Sequence, residues 1–195
     1  MAEQRSQTNL SELAPGLLVA MPQLVDPNFN RSVVLLIKAN EEGALGVVIN
    51  RCANVSLREF LGYQELEYKG PAEIEVNLGG PVEQDSHLLV LHGEEPVFGE
   101  ESDDEWMLAD GVRLITAHDG LAALAERGAG RLRCYVGYAG WAPGQLEWEL
   151  SEGAWVPLPC EAGLVFDEPT DRIWEQALRR AGLDPVALVP GGAVN

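Results

Sequence analysis

The stretch Gly137-Tyr138-Ala139-Gly140-Trp141-Ala142-Pro143-Gly144-Gln145-Leu146-Glu147-Trp148-Glu149-Leu150 constrains this chain more than any other, because a β-rich run breaks there at three glycines and restarts as an amphipathic helix. A residue without Cβ lets the backbone turn sharply or pass close to another segment. The reading predicts that Gly140 takes a positive φ or a close backbone approach, that Pro143 is the first helical residue, and that Leu146 and Leu150 bury one face. Trp141, Trp148 and Trp155 then serve as packing. A functional reading stands beside it. Tyr138, Trp141, Gln145 and Glu149 gather at bared backbone, Gln145 and Glu149 share a helix face at i, i+4, and the result is a cleft with aromatic walls and polar contacts. The structural reading takes precedence, since strand-to-helix turns need such glycines whatever the function.

Around this segment the pattern is mixed. Pro15 to Ala20 reads as a short strand, and the apolar runs Val33 to Ile37 and Ala44 to Ile49 flank a Glu41-Glu42-Gly43 turn as a central hairpin. Ser56 with Glu59 forms a capping box opening a short helix through Leu61 that Gly62 ends. Ile74 to Leu78 alternates as a half-exposed strand, and Leu88 to Leu91 is more buried. Val112 to Ile115 is a strand before a helix from about Ala117 to Arg127, with Thr116 as cap. Arg131 to Val136 alternates as a strand with one buried face; Trp155 to Leu158 and Leu164 to Phe166 read as further strands. A helix from Thr170 or Asp171 to Ala181 is stopped by Gly182. Strands grouped with irregularly interspersed helices predict an α+β fold. The expected organisation is a mobile tail over residues 1–12, one domain over 13–190 and a tail over 191–195.

Charge narrows the partners. With 31 acidic against 13 basic residues, the net charge of −18 opposes the phosphate-neutralising contacts on which nucleic-acid affinity depends, and equally opposes anionic membrane surfaces. No apolar run is long enough to span a bilayer, which predicts a cytoplasmic protein. Cys52, Cys134 and Cys160 are unevenly spaced and read as reduced thiols packed as small hydrophobes.

Chemistry-bearing patterns are sparse. His87 and His92 fall on opposite faces of a strand, His118 stands alone, and no metal or cofactor is expected. The seven acidic residues from Glu94 to Glu105 read as a solvated loop. Asp85-Ser86-His87 cannot form a triad as neighbours in an extended chain, and no serine lies in a nucleophile elbow. No catalytic residue is assigned.

Ordered blocks across the chain carry a resemblance. Gly16-Leu17-Leu18-Val19-Ala20, Phe29 to Leu36, Gly43 to Arg51, Gly79-Gly80-Pro81-Val82, the segment Gly137 to Leu150 with Trp155, and the Trp174 helix together resemble the YqgE/AlgH family. Cys52 stands where that family usually has Pro after the Asn-Arg pair. The resemblance implies a mixed, bifurcated sheet folded into a pseudo-barrel with helices packed outside, and a transcriptional-regulator label that brings no catalytic residues. The candidate ligand-binding set is Tyr138, Trp141, Gln145 and Glu149, joined by Asn50, Arg51 and Gly80 from the other blocks. The expectation is a non-enzymatic binding or regulatory module acting through a protein partner or small ligand. The alternative is an enzyme acting on a small uncharged or cationic substrate near Trp141, with acid-base work by Glu149 or Glu147.

Overall fold

The apolar runs at Val33 and Ala44 pair as expected, giving β2 (Val33–Asn40) and β3 (Gly43–Val48), with Val34 opposite Val48 and Leu35 opposite Val47. The structure is a computed structural model that describes residues 10–63, 74–84, 88–93, 95–98, 104–116, 118–127 and 131–188. β1 (Gly16–Ala20) adds to β2, β11 (Trp155–Leu158) to β1 and β10 (Ala139–Trp141) to β3, all antiparallel. Alternation at period two then decides where each side chain goes. Leu17, Val19, Val33, Leu35, Val47 and Ile49 enter one apolar cluster, while Leu18, Ala20, Val34, Leu36 and Val48 enter another on the opposite face. Leu10, on a 3-10 turn over Leu10–Glu12, is buried in the second cluster, so packing starts inside the stretch expected to be tail.

The second sheet holds β4 (Cys52–Ser56), β5 (Glu75–Leu78), β6 (Leu88–His92), β7 (Glu105–Ala109), β8 (Val112–Ile115) and β9 (Leu132–Val136), in the order β4-β5-β9-β6-β8-β7. Among its described strands, only β5 and β9 run parallel. One face shares the first cluster through Leu89, Leu91, Leu114 and Tyr135. The other face is covered by α1 (Leu57–Tyr63) and α2 (His118–Arg127), which bury Leu57, Leu61, Leu121 and Leu124 against Val76, Val90 and Cys134. The fold is α+β, and the ladders of the described strands form two open sheets, not a closed ring.

Several local expectations change. Arg131 to Val136 was expected to bury one face, but Cys134, Tyr135 and Val136 are all buried because β9 lies between β5 and β6 with layers on both sides. Asn77, expected on an exposed face, is buried for the same reason and donates to the Cys134 carbonyl at 3.2 Å. Leu164 to Phe166 is not a strand. It lies in a π-helical turn over Gly163–Asp167 whose consecutive Leu164 and Val165 face the first cluster, an apolar triplet that periodicity alone cannot assign. α1 runs past Gly62 to Tyr63, so that glycine is no stop. Glu105 opens a strand and does not belong to a solvated loop; the hairpin of β7 and β8 turns at Asp110-Gly111, where Gly111 has φ 67°. Cys52 is exposed, whereas burial pushes the Cys134 thiol up to about 12. Asp85 to His87 and Gly128 to Gly130 lie outside the described residues, as do the side chains of His118 and Asp119. α4 (Ile173–Arg180) forms as expected, with Ile173, Trp174, Ala177 and Leu178 buried and Gly182 ending it at φ 76°.

The two sheets meet at glycines. The Gly79 carbonyl accepts the Val48 amide of the first sheet at 2.7 Å, and the Gly79 amide donates to Val136 of the second at 2.8 Å. Val82 and Tyr138 exchange two further backbone bonds at 3.1 and 3.0 Å. At Gly137, φ is 72° and a Cβ would stand 2.7 Å from the Val82 carbonyl oxygen and 2.8 Å from that of Gly80. Gly140 is different: a Cβ there would meet only the Tyr138 ring, at 3.8 Å, so the constraint expected at Gly140 belongs to Gly137. The second turn glycine is Gly144, with φ 77°, immediately before α3 (Gln145–Ser151); Pro143 therefore precedes the helix and is not its first residue.

Gly137→Val is expected to destabilise the fold by about 3 kcal/mol or more, from left-handed backbone plus backbone contact, while Gly140→Val leaves the thermal midpoint nearly unchanged. Equal midpoints for the two variants in thermal unfolding would overturn this account. The capping box supplies a pH-dependent check. The Glu59 carboxylate accepts the Ser56 hydroxyl at 2.7 Å and amide at 3.0 Å, and the hydroxyl bond, then the amide bond, hold its pKa below the usual value. A folded pKa depressed in this way stabilises above the unfolded carboxylate pKa, and the benefit is lost as pH falls through the folded one. Ser56→Ala is therefore expected to lower the midpoint at neutral pH, and the gap from wild type should narrow in acid.

Candidate functional site

Glu149 organises the segment that the sequence singled out. Its Oε2 accepts the indole N–H of Trp155 at 2.7 Å and that of Trp141 at 2.9 Å, and its Oε1 accepts the Gln145 amide at 2.9 Å. Gln145 in turn accepts the Ala142 amide at 3.1 Å, tying the helix start to the turn. Phe29 completes the aromatic group, stacked on Trp141 at 5.9 Å and edge-on to Trp155 at 5.7 Å. Trp141 exposes 5% of its surface and Trp155 3%, so neither walls an open cleft. Bonds to an ionised acceptor are the strong kind, and this carboxylate is engaged at both oxygens. Of the three tryptophans in and beside this segment, Trp148 is the exposed one, at 63%. The Tyr138 ring packs against the first cluster and its hydroxyl donates to Glu83 over a long 3.4 Å.

Asn50 and Arg51 face the other way, toward the loop before β2. Asn50 accepts the Val33 amide at 2.8 Å and donates to the Arg31 carbonyl at 2.9 Å; Arg51 Nη2 donates to the Asn30 carbonyl at 2.9 Å. Asp26 supports the same loop, accepting the Asn28 amide at 2.8 Å. Arg31, at φ 52°, carries its guanidinium 5.3 Å above the Trp174 ring. Both bonding ends of Asn50 are thereby used in holding the loop. Arg51 spends one of its five N–H donors.

A pocket of about 60 Å³ opens where this loop meets the sheet junction, lined by Asn28, Val48, Arg51, Leu78, Gly80, Pro81 and Gln84. Gly80 lacks the Cβ that would run into the Tyr138 carbonyl, and Gln84 donates one amide hydrogen to the Gly80 carbonyl at 2.8 Å. Two of the sequence candidates, Arg51 and Gly80, converge here. Asn50 stands behind Arg51, and Trp141, Gln145 and Glu149 form the separate indole clamp. Asn28 and Gln84 were not anticipated, because neither lies in a motif with a recognisable chemical spacing. A larger hollow of about 520 Å³ lies between the Leu10–Glu12 turn and β11, presenting Leu13, Pro15, Ala109, Pro157 and Pro159, with Glu12 and Cys160 as its ionisable groups. Burial, then Glu161, raises the Cys160 thiol to about 11.

Sequence reasoning also missed a buried ionisable pair. His92 Nε2 lies 3.2 Å from Glu105 Oε1 with both side chains shut from solvent, and Arg113 Nη1 stands 4.0 Å from the same oxygen. Glu105 Oε2 accepts the amides of Val97 at 2.7 Å and Phe98 at 3.0 Å. The available signal was Asp110-Gly111, a hairpin dipeptide that brings β7 beside β8 and so takes Glu105 inside. Among the described residues, no group of three or more His, Cys, Asp or Glu side chains could hold a metal ion, and no helix is long and apolar enough to cross a membrane.

Comparison with known proteins finds relatives over nearly the whole chain. A family model described as AlgH-like matches residues 17–186. A UPF0301 protein of Anaeromyxobacter dehalogenans is 44% identical over 187 residues, covering 92% of this chain and 93% of the relative. One from Myxococcus xanthus is 41% identical over 187 residues, covering 95% and 100%. The solution structure of the AlgH protein from Pseudomonas aeruginosa superposes with a TM-score of 0.74 at 33% identity, covering 98% of this chain and 100% of that one. A crystal structure from Corynebacterium diphtheriae gives a TM-score of 0.68 at 28% identity, covering 86% of each chain. With one family model spanning both sheets and the glycine junction between them, this chain belongs to the AlgH-like family.

Proposed function

We propose that this chain is a cytoplasmic, non-enzymatic binding module that recognises a protein partner or small ligand at the junction pocket and influences gene expression indirectly, through that partner. The observation that carries the reading is how the polar groups are used. At the indole clamp, Glu149 is engaged at both oxygens by Trp141, Trp155 and Gln145, which leaves little for proton transfer to a substrate. At the junction pocket, by contrast, Arg51 and Gln84 keep donors beyond those that hold the loop and the Gly80 carbonyl. A fixed scaffold with spare donors in a concavity suits recognition. The net charge of −18 opposes direct contact with nucleic acid and favours a neutral or basic partner.

Full-length chain immobilised from its own host is expected to retain a partner or small molecule that the Asn28→Ala/Gln84→Ala double variant loses and Glu149→Gln keeps. Turnover of a small substrate, abolished by Glu149→Gln at an unchanged melting temperature, would favour the enzyme reading instead. The clamp itself predicts a stability effect. Glu149→Ala strands two nearly buried indole donors and is expected to cost about 2–4 kcal/mol in denaturant unfolding, with Glu149→Gln milder because one acceptor oxygen remains.

A further inference from the structure

We infer that the junction pocket takes a carboxylate, with the Arg51 guanidinium as its partner. The inference rests on reading that pocket as the recognition site. Among the described residues that line it, Arg51 is the one charged side chain and none is an acid, so within a chain of net charge −18 this lining reverses the local sign. The hydrogen bond from Nη2 to the Asn30 carbonyl anchors one end of the guanidinium, and the remaining N–H donors are left for a ligand. A planar fork of donors matches the two oxygens of a carboxylate. Asn28 lines the same pocket with an amide, and Gln84 has a second amide hydrogen beyond the one given to Gly80. Val48, Leu78 and Pro81 supply apolar wall for the carbon that bears the carboxylate.

Size and charge select the class. A volume of about 60 Å³ admits a group of a few heavy atoms, so the pocket holds the end of a ligand whose body lies outside. A phosphate carries more charge than one guanidinium neutralises, and the surrounding acidic field opposes the excess. A single negative charge on a neutral or cationic body meets both conditions. Such a carboxylate can belong to a small acid or to the C-terminus of a basic peptide.

Nitrogen-15 NMR of the full chain reads the Arg51 Nε–H signal and the Asn28 and Gln84 side-chain amides during titration. Acetate is expected to shift them saturably, acetamide to leave them in place, and phosphate to bind more weakly than acetate. Arg51→Lys should weaken acetate by about tenfold or more, with the Asn30 and Arg31 backbone signals reporting whether the loop stays folded. Gln84→Ala, which leaves Arg51 in place, should weaken it less. A short lysine-bearing peptide with a free C-terminus that outbinds acetate, and loses this on amidation, assigns the carboxylate to a peptide end; equal affinity for acetate and both peptide forms assigns it to a small acid. An unmoved Arg51 signal, an equal response to acetamide, or tighter binding of phosphate overturns the assignment. If the pocket variants still lose a captured partner while acetate fails to shift Arg51, the binding-module reading stands and the carboxylate falls. If acetate binds and no partner depends on the pocket, the reverse holds.

Discussion

The backbone of Gly79 and Gly80 lies directly against that of Gly137 and Tyr138, and the relation between the two sheets depends on this approach. Gly79 is the hydrogen-bonding link, accepting from Val48 on one side and donating to Val136 on the other. A side chain at Gly79 would strike the Gly137 carbonyl, and one at Gly80 the Tyr138 carbonyl. Because the sheets close to this distance, β3 ends beside β5 and β9, and the loop before β2 is brought over the junction. The pocket is the space left at that corner. Its shape is therefore a consequence of backbone packing, with Asn50, Arg51 and Asp26 holding the loop that forms one wall.

The acidic residues have work inside the fold as well as on its surface. Glu59 closes a helix start, Glu149 gathers two indoles, and Glu105 holds the Val97 and Phe98 amides while facing His92. Glu149 and Glu105 accept N–H groups that would otherwise end without a partner as the surrounding apolar surface is buried, whereas Glu59 does its work at an exposed helix start. Some of the scarce cations are similarly committed. Arg133 bonds Thr170 Oγ1 at 3.0 Å and the Glu168 carbonyl at 2.7 Å, fastening the segment before α4 to β9, and Arg31 covers Trp174. Trp174 itself donates to the Ala20 carbonyl at 2.7 Å. Arg51 is engaged only in part, through its bond to the Asn30 carbonyl.

How much was legible in the sequence follows from whether the information is local. The Val33 and Ala44 runs are continuous and apolar around a Glu-Glu-Gly turn, so the hairpin was readable; Ser56 with Glu59, and Gly182 after the Trp174 helix, are local stop and start chemistry and formed as read. Burial on both faces of β9 was not readable, since alternating Arg131-Leu132-Arg133 looks the same whether Cys134 and Tyr135 face one layer or two. Leu164-Val165-Phe166 failed for a related reason: three apolar residues fit a strand or a helical turn, and only the surface they meet decides between them. The candidate site divides along the same line. Gln145 and Glu149 at i, i+4 were correctly placed on one face, but that their face would meet two indoles was a fact about β10 and β11, not about the helix.

By itself the sequence determined the α+β class, the main hairpin, the last long helix, the family and a charge that opposes polyanions, because propensity, periodicity and net charge are properties of the chain before it folds. Tertiary structure decided which glycine is indispensable, that Glu149 is a structural acceptor, that Glu105 is inside, and that Arg51 meets Asn28, Gly80 and Gln84 around one hollow. The glycine junction and the hollow depend on atoms far apart in sequence coming within contact distance, and the Glu149 clamp on how a helix sits against its neighbouring strands. Such proximity is set by how the two sheets pack, and no local pattern encodes it.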